Sequence, residues 1–163
     1  MRVIRIYDDR NVFYNNINLE ELCSEGLAVE YCTLQDRQPV CITVDKSFEV
    51  KEPKYNWDFT PDSEYCVFLD TRWDRNLMNQ QETVADNVDM PHGLISQIKQ
   101  PCVKRVIVYT LYGPTESRQL VNALMADNNL IDKVKDEPLS FSTSQPQKAI
   151  LDIKQEVEQW ENF

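Results

Sequence analysis

Few residues of this chain carry reactive groups at the spacings that chemistry needs. There is one histidine, His92, and there are five cysteines, at positions 23, 32, 41, 66 and 102. The cysteines contain no C-x-x-C pair and His92 has none of them nearby. Neither a zinc site nor a disulfide framework is therefore expected, and no metal or cofactor is assigned. The thiols read as small apolar core groups in a reducing compartment. His92 stands in a polar stretch without a paired nucleophile or carboxylate, which reads as ordinary surface. The one grouping suited to recognition is aromatic: Tyr55, Trp57 and Trp73 form a candidate surface that could wall a cationic ligand, with Asp58 or Asp70 as counter-charge. The competing reading is that these rings alternate to fill a core against a sheet.

Nucleophilic and phosphate-binding signatures are missing from the sequence. It holds only three glycines, too few for a phosphate-cradling loop, and no Ser-His-Asp or Cys-His order stands out. The string Tyr112-Gly113-Pro114-Thr115-Glu116 resembles a motif of adenylate-forming enzymes, but those enzymes also need a Gly-, Ser- and Thr-rich phosphate loop. A structural explanation suffices, in which Gly-Pro turns the chain, Thr115 caps a helix and Glu116 favours its N-terminus. No catalysis is expected.

Charge and hydropathy narrow the class further. The net charge of −10 and a pI near 4.6 argue against a nucleic-acid surface, which needs clustered Lys and Arg. The acidic residues instead suggest solubility or a basic partner. No run approaches the ~20 apolar residues that cross a bilayer, and no signal peptide is evident, so a cytoplasmic protein is expected. At 163 residues and 42% hydrophobic content, the chain can bury one domain-sized core.

The elements that must position any site begin with Val3, Ile4 and Ile6, an apolar strand bounded by the polar turn Asp8-Asp9-Arg10-Asn11. Asn18 is placed to cap a short helix, with Glu21 reaching back to it, Ile17 stapling onto Leu22, and Gly26 ending it. These residues resemble the closing strand–helix segment of the staphylococcal-nuclease-like fold, as found in extended Tudor domain proteins. The matching residues are Ile4, Tyr7, Asp8, Asn18, Leu22, Gly26, Leu27 and Ala28, within residues 2–31. The resemblance implies a protein-interaction scaffold of RNA-silencing or germ-granule assemblies. It implies no nuclease activity, because the catalytic groups of that fold lie upstream of this segment. It implies no methylarginine reading either, since the Asp-Tyr-Gly-Asn-like turn of the Tudor cage does not occur.

Downstream, Ala28–Thr33 and Pro39–Val44 read as a hairpin about the turn 35–38, with a further short strand at Phe48–Val50. Tyr65–Leu69 and Lys104–Leu111 read as strong strands, the second buried on both faces. Residues 71–100 read as a long surface excursion with one helical turn at Gly93–Ile98. Helical periodicity follows from about Glu116, and a shorter helical stretch is read at Leu130–Lys135. Residues 140–147 have linker composition, followed by an amphipathic helix over 148–163. On it Ile150, Ile153, Val157 and Trp160 form a narrow seam, either docking a partner protein or folding back over the chain's own sheet.

The expectation is thus an α+β single domain with a mixed, mainly antiparallel sheet and three or four helices, spanning 1–139 before the linker and last helix. Its expected function is a non-catalytic protein-interaction or scaffold module without nucleic-acid or membrane contact. The alternative is a small acidic binding protein, an inhibitor or nucleic-acid mimic, that engages a basic surface.

Overall fold

The computed structural model describes residues 1–44, 51–111 and 114–161. The expected strand at Phe48–Val50 and the Tyr112-Gly113 turn lie outside the described residues. In chain order the elements are β1 (Arg2–Tyr7), α1 (Val12–Asn16), a 3-10 turn (Leu19–Leu22), β2 (Leu27–Gln35), β3 (Gln38–Val44) and β4 (Glu64–Asp70). A second 3-10 turn (Arg75–Leu77), β5 (Gln81–Ala85), β6 (Val88–Pro91) and α2 (Leu94–Ile98) come next. The chain then continues through β7 (Val103–Thr110), α3 (Pro114–Met125), β8 (Leu139–Ser140) and α4 (Pro146–Glu161).

The helices and mixed sheet are those expected of an α+β chain, but the strand direction needs correction. One six-stranded sheet runs in the order β3-β2-β1-β4-β7-β8, and only the β2–β3 pair in it is antiparallel. β5 and β6 form a separate antiparallel hairpin inside the stretch read as an irregular excursion. The physical reason for the parallel sheet lies in the strands themselves. Val3–Tyr7 and Tyr65–Asp70 are buried without a break, and such runs, covered on both faces, belong to parallel sheets.

Both faces are indeed covered. On one face, α1, the first 3-10 turn and α4 pack Phe13, Leu19, Leu22, Ile150 and Ile153 against Ile4, Ile6, Cys66 and Phe68. The opposite face takes the β5–β6 hairpin, α2 and α3 through Met90, Leu94, Ile98, Leu120 and Leu124. Residues 140–147, read as a linker, begin within the edge strand β8 and carry Phe141, a buried ring set edge-on to Phe13 and tilted against Tyr109. Leu130–Lys135 is a turn rather than a helix, and Val134 bridges in parallel to Val106.

The capped unit at the N-terminal end takes a tighter form than expected. Asn18 Oδ1 accepts the Glu20 N–H at 3.2 Å and opens a 3-10 turn of four residues. Gly26 sits at φ +77°, where a Cβ would meet no atom within 4 Å. Gly26→Ala therefore creates backbone strain without a clash, and a loss of about 1 kcal/mol in urea-unfolding free energy is expected.

Candidate metal centre at the switch point of the sheet

Counted among the parallel strands alone, the order is 2-1-3-4-5, that of doubly wound flavodoxin-like sheets. The β1-to-β2 connection covers one face, the β4-to-β7 connection covers the other, and winding reverses between β1 and β4. Where winding reverses, the connections diverge from the carboxyl ends of the strands and leave a crevice, the usual ligand site of such sheets.

Three aspartates converge there. Asp8 and Asp9 follow the last residue of β1, Asp70 is the last residue of β4, and Tyr7 and Leu69 are register partners. One carboxylate oxygen from each aspartate lies within 4.8 Å of the other two. All three are buried, at 0%, 8% and 4% exposure. They line a cavity of about 460 Å³, with Arg10, Arg72 and Arg75 at its rim.

The three carboxylates are held differently. Asp8 is the most tightly bonded: Oδ2 accepts the Phe13 N–H at 2.7 Å and the Tyr31 hydroxyl at 2.6 Å, while Oδ1 accepts the Arg10 N–H at 3.4 Å. Asp9 Oδ2 accepts the Asp74 N–H at 2.8 Å. Asp70 Oδ1 accepts a long 3.3 Å bond from the Arg72 N–H, while its carbonyl takes the Trp73 indole N–H at 2.8 Å. Next to Asp70, Thr71 Oγ1 donates to the Tyr109 carbonyl at 2.7 Å, and the Tyr109 hydroxyl donates to the Tyr7 carbonyl at 2.6 Å. These bonds tie the ends of β1, β4 and β7 together around the site.

Like charges in a buried site raise one another's affinity for protons. Burial, then the neighbouring Asp8, pushes the Asp9 carboxyl up to about 6, against the opposing pull of Arg10. Burial, then Asp8 and Asp9, pushes Asp70 well above the usual carboxylate range. The rim arginines do not cancel this, because each is paired with another carboxylate: Arg10 with Asp74, Arg72 with Glu116 at 3.1 Å, and Arg75 Nε with Asp89 at 2.6 Å. Among the described residues no Lys or Arg makes an ion pair with any of the three aspartates. The donor set is all oxygen and anionic, and it fits a small hard divalent cation of the magnesium class.

A larger cavity, about 780 Å³, lies at the amino ends of the strands near Arg2, Lys104 and Arg105. Size favours it, but the chemistry favours the switch point. In the larger cleft Arg105 and Lys135 both pair with the buried Glu156, the other ionisable groups mix both signs, and none of its described residues belongs to a carboxylate group able to hold a metal ion.

The residues singled out from sequence are distributed otherwise. Ile150, Ile153, Val157 and Trp160 are 1%, 0%, 6% and 7% exposed, so the seam is spent on the sheet and offers no partner-binding surface. The proposed aromatic surface is likewise corrected. Trp57 and Trp73 are core residues with ring centroids 5.9 Å apart, and their indole N–H groups are bound to the Val40 and Asp70 carbonyls. Only Tyr55 stands exposed. His92 lies on the surface, away from the aspartates. Pro114 opens α3, which puts Thr115 inside the helix rather than at its cap, and Glu116 serves Arg72.

The three aspartates were the residues missed. Their signal was an acid directly after each of two apolar runs, V-I-R-I-Y and Y-C-V-F-L. Read with antiparallel pairing, those acids fall at opposite ends of the strands; with parallel pairing they meet. No family model matches the chain, and neither a curated protein nor a solved structure shows significant similarity to it.

Proposed function

We propose that this chain is a phosphoryl-accepting protein-interaction module. Asp8, Asp9 and Asp70 hold a divalent cation of the magnesium class, Asp70 takes a phosphoryl group from a phosphorylated donor, and the altered surface is read by another protein. The observation that carries this reading is the uncompensated triad of buried carboxylates at the switch point of a parallel sheet.

Asp70 suits the nucleophile best. It lies between the β1 aspartates and the end of β7, and its Oδ1 accepts a 3.3 Å bond from the Arg72 N–H, longer than the 2.6–2.8 Å bonds on Asp8 Oδ2 and Asp9 Oδ2. One of its oxygens forms a bond to phosphorus while the donor's bond to its leaving group breaks; the leaving group departs with the electron pair, as acetate from acetyl phosphate or, with a proton from solvent on its nitrogen, as ammonia from phosphoramidate. A bound cation supplies charge neutralisation to the phosphoryl oxygens and keeps Asp70 ionised. The described lining residues include no histidine or lysine to activate a water molecule, so acceptance is favoured over hydrolysis.

Arg72 links the site to a surface. It is two residues from Asp70, and its guanidinium holds Glu116 in the first turn of α3. A phosphoryl group near charge −2 competes with Glu116 for that guanidinium and loosens the contact. In this reading the module acts by binding rather than by turnover.

The test uses the whole chain with acetyl phosphate or phosphoramidate, with and without magnesium, followed by intact-mass measurement. A hydroxylamine-sensitive gain of one phosphoryl group is expected only with magnesium. The gain should disappear in Asp70→Asn and persist in Asp58→Asn, whose side chain lies away from the site. A chain that gains nothing with magnesium, or gains the group elsewhere, overturns the reading.

A further inference from the structure

Cys32 and Cys41 are register partners across the β2–β3 hairpin. The turn that joins the strands has Asp36 and Arg37 at φ 50° and 65°, the two consecutive positive angles of a type I′ hairpin. Such a turn makes its flanking pair, Gln35 and Gln38, hydrogen-bonded, after which the pairs alternate. Leu34 opposite Pro39 is then non-hydrogen-bonded, as proline requires; Thr33 opposite Val40 is hydrogen-bonded; and Cys32 opposite Cys41 is again non-hydrogen-bonded.

The backbone bonds give the same answer independently. The N–H and C=O of Cys41 both point away from β2, to the carbonyl and amide of Lys54 at 2.8 and 2.9 Å. The Cys32 carbonyl points the other way and accepts the Asp8 N–H at 3.0 Å. Non-hydrogen-bonded pairs bring Cα atoms to roughly 4.5 Å, with both side chains on one face. That separation lies within the roughly 4.4–6.8 Å span of natural disulfides. No other cysteine is so placed. Cys23 and Cys66 belong to the core on the opposite face of the sheet, and Cys102 lies just before β7.

From this geometry we infer that Cys32 and Cys41 form a dithiol–disulfide site, a redox-sensitive clip across the hairpin. The site is independent of the aspartate triad. The oxidant is a low-molecular-weight disulfide of the glutathione class. Cys41 lies on the edge strand, bridged on its outer side by Lys54 and with no further strand beyond it among the described residues, so it reaches solvent first when β3 opens locally. Its thiolate attacks one sulfur of the oxidant and releases one reduced thiol. The Cys32 thiolate then attacks Cys41 in the mixed disulfide and releases the second. Two protein thiols are oxidised, one small disulfide is reduced, and the two thiol protons end on the two released glutathione molecules.

Burial holds the Cys32 thiol protonated, which makes the closed hairpin slow to react and ties oxidation to opening of the strand. Bond formation also removes the Cys41 S–H donated to Glu30 Oε2 at 3.3 Å, so the redox state reaches the buried Arg5–Glu30 pair.

The experiment incubates the folded, fully reduced chain with oxidised glutathione at neutral pH, then quenches by alkylation and reads intact mass and a peptide map. The expected result is a loss of two hydrogens, three remaining alkylatable thiols, and a single cross-link between Cys32 and Cys41. Cys32→Ser and Cys41→Ser should each abolish the loss. The map of the unsubstituted chain decides the matter even where a variant folds poorly. Five alkylatable thiols, stable glutathione adducts in place of the cross-link, or a cross-link to Cys23, Cys66 or Cys102 would each overturn the assignment.

Discussion

Asp70→Asn is expected to raise the melting temperature of the metal-free chain while removing its response to magnesium. Three carboxylates share one buried site, and asparagine keeps the shape of a protonated aspartate without the charge. A gain of about 1–3 kcal/mol at pH 7.5, roughly 3–8 °C in a chain of this length, follows from removing a carboxyl that must either carry a further like charge or hold a proton at a cost. For the unsubstituted chain the same repulsion sets a pH dependence. Asp9 titrates near 6 in the folded state against 3.8 as its ordinary value. Between those values the native chain binds more protons than the unfolded one, so stability falls as pH rises through about 6. A shift of about 2 units corresponds to at most about 3 kcal/mol, present near pH 4 and lost by pH 7. Magnesium binding only to the native state should reverse that loss at neutral pH. Calorimetry from pH 5 to 7.5, with and without magnesium, tests all of this. If Asp70→Asn melts below the unsubstituted chain in EDTA, the triad is not under like-charge strain and a structural role for Asp70 replaces the metal site.

Glu30→Ala is expected to cost about 3–5 kcal/mol of folding stability. Arg5 lies in the middle of the sheet with a side-chain exposure of 1%, and its guanidinium bonds Glu30 at 3.2 Å. It also donates to the carbonyls of Trp57 at 2.6 Å and Asp58 at 2.9 Å, and it faces the rings of Phe59 and Tyr65 at 4.3 and 4.9 Å. Removing Glu30 leaves a buried cation with neutral partners only. The joint replacement Arg5→Met with Glu30→Met should recover most of the loss, since a packed apolar pair needs no compensation. Equilibrium unfolding of the three variants measures it. A Glu30→Ala loss below about 1 kcal/mol would show that the carbonyls and rings alone satisfy Arg5.

Much of the element list was legible in the sequence because it rests on local signals. The β2–β3 hairpin, β4, β7, α3 and the last helix declared themselves by periodicity, turn residues and proline. Strand direction did not, because a short apolar run reads the same whether its neighbour is parallel or antiparallel. That one ambiguity also hid the site. Asp8 and Asp9 look like a polar turn and Asp70 like a strand end until β1 and β4 are set side by side in the same direction. The α4 seam and the aromatic cluster were visible as patterns, and long-range packing decided that both face inward. The Arg5–Glu30 pair carried no sequence signal, since an arginine within an apolar strand only becomes intelligible once its register partner is known.

The two ends of the sheet bear on how this protein behaves at high concentration. An open strand edge invites a second chain to continue the ladder, and long flat edges seed aggregates. Here one edge is β8, only two residues long, and the other is β3, where Pro39 offers no N–H and the outward groups of Cys41 are already taken by Lys54. Among the described residues, neither edge offers a sustained row of free donors and acceptors as a template. Together with a charge of −10, this should keep the chain dispersed in crowded solution, so that its associations are set by side-chain recognition rather than by strand addition.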